Sequence, residues 1–376
     1  MDRPRRLVWM GFAGFALIAL ITGVRLWEPD VWLYQHYAQQ AFAHHRVPPE
    51  YPILSLPIFF LPFLLPLPYG FAFGILTILA LAVLLNIGTK RHGARWGLKL
   101  LGYLSLSAIG IFTQRYDIFV ALIGFLSVDA ALRRRYRSAW AFSLIGFGLK
   151  LWPVLLWPVF LIAEWRETGR IRWDRLGWSA LGAGVLMGIP ALLSPGQAFT
   201  TVRYLVERPV EIESVAASLT ALVQPIRAFY SFGSLNITAD GWAHPIALMV
   251  SVAGIAGVLT VLWAQWKGRM ELVDAAILTL GIVLLTTKVF SAQYLIWLAP
   301  WLALKKGNQG FVLAYALTAL SYPVGFMVPG LFPWIIVIAG ARNAALAAGF
   351  VLFVRRLRVP AAQAAQEVNP RVHSLP

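Results

Sequence analysis

The chain has 376 residues, 59% of them hydrophobic, a net charge of +16, a mean hydropathy of +0.70 and no cysteine. Soluble domains average about 45–50% apolar residues, and apolar stretches of bilayer length recur along this sequence, so it reads as a single polytopic, all-α membrane domain. Disulfides, thiolate metal sites and cysteine nucleophiles are excluded. The charge does not call for nucleic acid, because most basic residues sit in short segments between apolar runs, the pattern that orients membrane helices.

In chain order, Arg3, Arg5 and Arg6 precede a first helix over 7–25, which resembles a signal sequence but lacks a small-residue cleavage site. An outer loop over 26–50 follows. The proline-broken stretch from Pro52 to Pro68 is too short and too interrupted for a clear span, and reads as a re-entrant or interfacial element. Spans follow over 69–87 and 97–113, then a tight outer turn at 113–117 and a return helix to Arg133-Arg134-Arg135. The stretch 140–166 is basic at both ends, which suits two short spans or, the favoured reading, a re-entrant hairpin broken near Lys150 and Pro153, with one ordinary span as the alternative under a different topology. A span over 176–193 leads to a second outer loop, 194–243. Further spans are expected over 245–266, 272–288, 290–304, 309–326 and 332–354. The total is about 10–12 transmembrane helices within a domain over 1–359, with both termini cytoplasmic. The tail 360–376 reads as disordered.

Polar residues on the outer side form a short set. Ionisable groups at membrane depth cost about 2.5–3.5 kcal/mol each on insertion scales, so those that remain usually line a cavity or pair together. Glu28, Asp30, Arg115, Asp117 and Lys288 all fall where helices emerge. Basic groups there suit the phosphate of a lipid. Trp27, Trp32 and Tyr34 beside carboxylates suit a sugar, with rings on its C–H faces and carboxylates accepting from its hydroxyls. One carboxylate can also serve as general base on an acceptor hydroxyl. Plainer readings stand beside these: an aromatic belt for the rings, a structural ion pair for Arg115 and Asp117, and a snorkelling Lys150. His44 and His45 lack further spaced ligands for a metal site. Asn236-Ile-Thr238 fits a glycosylation sequon, a triplet that often arises by chance.

Six segments occur in one order: WEPDVWLY, EYPILSLPIFFLPFLLP, QRYDIFVALIGFL, FGLKLWPVLLWPVFL, ERPVEIESVAASL and KVFSAQYLIWLAPWL. Together they resemble the GT-C superfamily of membrane glycosyltransferases over residues 7–355, and within it glycosyltransferase family 87, the polyprenyl-phosphate-mannose-dependent mannosyltransferases. GT-C enzymes carry an acidic motif in the first outer loop, and Glu28-Pro29-Asp30 has its ExD form. The resemblance implies Asp30 as the general base, with Glu28, Tyr34 and Asp117 positioning the base or the acceptor. It implies Arg115, Lys150, Lys288 and Arg208 at the donor phosphate, and Trp32, Gln293, Tyr294 and Glu213 at the sugar. EYPILS has a single proline where relatives often have two, and the second outer loop carries no appended soluble domain.

The expected activity is inverting transfer of a sugar, mannose by the resemblance, from a polyprenyl-phosphate donor to a lipid or glycan hydroxyl. It would take place at the outer face of a bacterial plasma membrane. No cofactor is required by this scheme. Cationic side chains can replace a metal for a lipid monophosphate, whereas a carboxylate pair could hold a divalent cation such as Mg2+ or Mn2+. A transporter or flippase of a polyprenyl-linked sugar is the alternative; the absence of an internal repeat weighs against it.

Overall fold

The computed structural model describes residues 2–25, 29–193, 196, 199–238 and 240–357. Glu28 and the tail 360–376 lie outside the described residues.

The fold is helical. The amino-terminal half contains α1 (Arg3–Arg25), α2 (Pro29–His44), α3 (Ser55–Phe60), α4 (Tyr69–His92), α5 (Ala94–Ser107), α6 (Asp117–Leu132), α7 (Tyr136–Leu149), α8 (Leu156–Thr168) and α9 (Trp173–Leu193). The remainder contains α10 (Thr200–Glu207), α11 (Val215–Val223), α12 (Ala243–Trp266), α13 (Leu272–Thr286), α14 (Leu295–Leu304), α15 (Val312–Ala319), the single turn α16 (Gly325–Met327) and α17 (Ile335–Leu357). Five of these, α1, α4, α9, α12 and α17, are long and apolar enough to cross a bilayer. The chain is therefore an all-α membrane protein with little sheet.

The shorter helices form the centre. Helix α14 is ten residues long and nine of its residues, Leu295–Ala303, are buried; it packs on α5 and α6. Its apolar composition on all sides is what a core helix requires. Trp96 of α5 donates from Nε1 to the Pro300 carbonyl at 3.0 Å, which satisfies a buried indole. At Gly281 of α13 an added Cβ would lie 1.9 Å from the Phe350 ring, so only glycine permits this approach of α13 to α17.

Two expected loops are structured. The segment expected as the first outer loop contains the sixteen-residue α2. The second contains α10, α11 and a three-stranded antiparallel sheet of β1 (Val210–Glu211), β2 (Ala228–Ser231) and β3 (Ser234–Ile237), in the order β1-β3-β2. Phe232 and Gly233 join β2 to β3 with φ of 51° and 67°, the positive values that tight two-residue hairpins demand. Ser214 caps α11, accepting from the Ala217 amide at 3.1 Å. Asn236 is fully buried and its amide donates to the Ser231 carbonyl at 2.7 Å, so the side chain of the chance sequon is committed to the hairpin.

The stretch between α6 and α9 is a broken hairpin. Helix α7 stops at Leu149, Lys150 is extended, a tight turn spans Trp152–Leu155, and α8 returns. Pro153 lacks the N–H that a continuous helix would use. The other end of the bundle is basic: buried Asp129 binds Arg91, His92 at 2.8 Å and Arg133 at 3.1 Å, while Lys305 pairs with Asp274 at 2.7 Å.

Candidate functional site

At the Lys150 end a cavity of about 720 Å3 opens among α2, the α7–α8 break, α10, the sheet, α13 and the segment after α15. Four carboxylates and four cations line it: Asp30, Glu50, Glu211 and Glu213 against Arg115, Lys150, Arg208 and Lys288.

One wall is built by Asp30, Arg115, Asp117 and Lys150. Asp30 stands in the first turn of α2 and pairs with the Arg115 guanidinium. Arg115 precedes α6 and also donates to the Tyr322 hydroxyl at 3.2 Å. Asp117 opens α6 and is 1% exposed; it does not line the cavity. Its Oδ1 accepts from Lys150 Nζ at 2.9 Å and from Trp297 Nε1 at 2.8 Å. Lys150 Nζ lies 4.7 Å from the Trp297 ring, 4.9 Å from Tyr116 and 5.0 Å from Tyr294. Trp297 stacks on Trp152, with centroids 5.6 Å apart. The lysine is thus a cation fixed from behind by one carboxylate and enclosed by aromatic faces, an arrangement that holds a charge in place at low dielectric.

The opposite wall comes from Glu50, from α10 and from the sheet. Tyr204 of α10 lies 2.9 Å from Glu50 Oε1 and 2.8 Å from the Phe232 carbonyl. Tyr204 has a single hydroxyl proton for these two acceptors, and the arrangement is satisfied when Glu50 carries a proton of its own. Burial pushes the Glu50 carboxyl above its ordinary range, against hydrogen bonds from Tyr204 and Tyr37 and the charges of Arg208 and Lys150. Protonation therefore stabilises the folded chain. The cost of ionising Glu50 is absent below its unfolded pKa and fully present once pH has risen past the folded one. The Glu50→Gln variant is expected to melt above wild type at pH 7.5, with the difference closing by about pH 4, below the unfolded carboxyl value. Differential scanning fluorimetry in detergent at the two pH values checks this.

Arg208 donates to Ser234 at 2.9 Å and lies 3.4 Å from Glu211, whose Oε1 accepts from Ser291 at 2.6 Å. Glu213 is 5% exposed, and burial raises its carboxyl while Arg342 opposes the shift. Its side chain accepts from Ser321 at 2.8 Å and from Arg342 at 3.3 Å. Lys288 donates to the Val206 carbonyl at 2.8 Å, and its own carbonyl accepts from the Glu211 amide at 2.9 Å. Below the charged groups the lining turns apolar along α13, through Leu280, Val283 and Leu284.

Of the residues singled out in the sequence, the structure brings Asp30, Arg115, Lys150, Arg208, Glu213, Lys288, Gln293 and Tyr294 to this cavity. It does not bring Tyr34 or Trp32. Tyr34 is 1% exposed and stacks on Phe59 at 4.5 Å within an aromatic core. Trp32 lies two residues past Asp30 on the helix, is 56% exposed and stacks on His36, because a helix turns neighbouring positions about 100° apart. Sequence reasoning gave Glu50 and Glu211 no part in a site and missed Tyr204 and Trp297. A carboxylate within ERPVEIES and an indole within the KVFSAQYLIW segment were the available signals. Among the described residues no three His, Asp or Glu side chains gather to hold one ion. Among the described residues the cavity carboxylates are instead paired with cations or hydroxyl donors of the chain.

No protein-family model matches the chain, and no curated protein matches it.

Proposed function

We propose that this chain is a GT-C-type glycosyltransferase that moves a sugar, mannose by the sequence resemblance, from a polyprenyl phosphate to an acceptor hydroxyl. The observation that carries the reading is the cavity's division. Four cations, each beside a carboxylate or a carbonyl of the chain, and four carboxylates line its polar part, and an apolar wall is formed by Leu280, Val283 and Leu284 of α13. A lipid phosphate with a long hydrocarbon chain suits both parts.

In the proposed orientation both described ends of the chain lie on the cytoplasmic side of a bacterial plasma membrane. The basic end faces inward and the cavity faces outward. Twelve helical segments then alternate in direction between the two faces, α1, α4 to α9, α12 to α15 and α17, of which α1, α4, α9, α12 and α17 are long enough to span the bilayer alone. The acceptor O–H gives its proton to Asp30 while its oxygen attacks the anomeric carbon. The bond from that carbon to the phosphate oxygen breaks, and the polyprenyl phosphate leaves with the electron pair. Lys150 and Arg115, with Arg208 and Lys288 nearby, balance the negative charge. A phosphate leaving group needs no proton, so one base suffices. Gln293 and Tyr294 line the space where the sugar would lie, and the acceptor is a glycolipid or glycan.

The test uses proteoliposomes with radiolabelled polyprenyl-phosphate mannose and a membrane-lipid extract as acceptor pool. Label is expected in a new product whose anomeric configuration is opposite to that of the donor. Retained configuration would rule out the single displacement. Label carried across the bilayer with no new product would favour a transporter.

A further inference from the structure

A second, smaller cavity lies at the basic end, away from the site above. It is a groove of about 390 Å3 between α7 and α9. The two helices leave the basic end side by side, so their residues fall in matching layers. Arg137 and Arg172 line the start of the groove, and Leu144 and Ser179 line it about two turns on. Seven residues of helix give the groove a length of about 10 Å. Three guanidiniums and one carboxylate line it. Arg172 is held by Asp174 at 2.7 and 2.9 Å, and Arg175 by buried Glu164 at 2.8 Å. Arg137 is exposed and makes no hydrogen bond or ion pair with a described residue.

The groove closes where the helices meet. A Cβ on Gly182 would lie 2.6 Å from Leu144 Cδ2, so glycine allows this approach. Beyond it the outer face of α9 continues as an apolar stripe. Trp178, Leu181, Val185 and Leu192 are 71%, 58%, 56% and 85% exposed and share one side of the helix. Trp178 belongs to both, at the junction of the charged floor and the stripe.

We propose that this groove binds the headgroup of an anionic phospholipid. The phosphodiester meets Arg137, with N–H donors of the ion-paired Arg172 and Arg175 beside it. The glycerol lies against Trp178, and an acyl chain follows the apolar stripe of α9. A guanidinium fork matches two phosphate oxygens, and basic pockets between membrane helices suit acidic headgroups. A free phosphate would use the floor but leave the stripe uncovered, which is why the lipid is the assigned ligand. The assignment does not depend on the sugar-transfer reading.

Native mass spectrometry of the purified full chain provides the test, with dioleoyl phosphatidylglycerol and dioleoyl phosphatidylcholine offered in equal amounts. One phosphatidylglycerol is expected to stay bound, at least about tenfold in preference to phosphatidylcholine, since the latter's headgroup is neutral overall. Arg137→Gln is expected to lower retention about tenfold, the loss of one charge-assisted pair, and Trp178→Ala to lower it as well. Arg135→Gln removes an exposed arginine outside the groove and should leave retention unchanged. Equal retention of the two lipids, or an Arg137→Gln protein that binds as wild type does, overturns the proposal. So does an equal loss in Arg135→Gln, which would mean a diffuse surface charge. Displacement of the lipid by millimolar inorganic phosphate would assign the groove to a free anion instead.

Discussion

With Asp30 as the proposed base, the Asp30→Asn variant is expected to lose the proposed sugar transfer by about 10²–10⁴-fold, the usual contribution of a positioned general base, while still binding polyprenyl-phosphate sugar. Asparagine has nearly the shape of aspartate, so α2 and the cavity wall should persist. Arg115 loses this carboxylate but keeps its bond to Tyr322, and its guanidinium still lines the cavity. Binding and transfer should therefore separate: donor affinity stays or rises while turnover falls. Transfer assays in proteoliposomes, paired with donor binding in detergent, read both quantities. The Trp32→Ala variant is the companion control. Its ring stands outside the cavity, so transfer should proceed at the wild-type rate. Full turnover by Asp30→Asn would remove this carboxylate from the chemistry without touching the class of reaction.

The Arg342→Met variant is expected to destabilise the protein by about 3–5 kcal/mol, the range for breaking a buried ion pair from one side. Arg342 is 0% exposed within α17. It donates to the side chain and the backbone carbonyl of Glu213 and to Asn343 at 3.1 Å, and its guanidinium lies 4.1 Å from the Phe290 ring. Without it a buried carboxylate keeps Ser321 but loses its cation. Through Glu213 the same bonds tie the turn between β1 and α11 to the last helix. The loss should thus reach the cavity wall as well as the fold. Thermal unfolding in detergent should show a fall of several degrees, given that about 1 kcal/mol moves the midpoint of even a 150–250-residue domain by roughly 2–4 °C. The double variant Glu213→Gln/Arg342→Met should recover part of that fall, because a neutral amide costs less to bury than an unpaired charge. A double variant no more stable than Arg342→Met would show that the carboxylate is not the source of the loss.

The long helices were legible because an apolar run of twenty residues has few alternatives to a membrane span. The break at Lys150 and Pro153 was legible as well, since basic residues flank both ends of 140–166 and a proline interrupts it. Helix α2 was not. Its sequence PDVWLYQHYAQQAFAH mixes rings, amides and small residues, without the continuous apolar run that marks a span. The sheet was hidden for a related reason: β1 has two residues, and β2 and β3 have only four each, with burial that does not alternate along either strand. At the cavity, charged residues at helix ends could be picked out individually. The sequence did not show that Asp117 lies behind Lys150, or that Tyr204 joins Glu50 to the hairpin. Those pairings connect residues 33 and 154 positions apart, and only the packed bundle brings them together.

Helices α7 and α8 have 14 and 13 residues, so they rise only about 20 Å each, against roughly 30 Å for the hydrocarbon core. In the proposed orientation, with the basic end at the inner interface, Lys150 lies well below the outer surface of the bilayer. An anion travelling from that surface to Lys150 then crosses part of the membrane's electric field. A full crossing corresponds to about 2.3 kcal/mol per unit charge at 100 mV, and a third of it to about 0.8 kcal/mol. With the cell interior negative, the field opposes the inward movement of a phosphate. Occupancy of the cavity would then fall as the membrane becomes energised, coupling it to the voltage across the bilayer without a dedicated sensor.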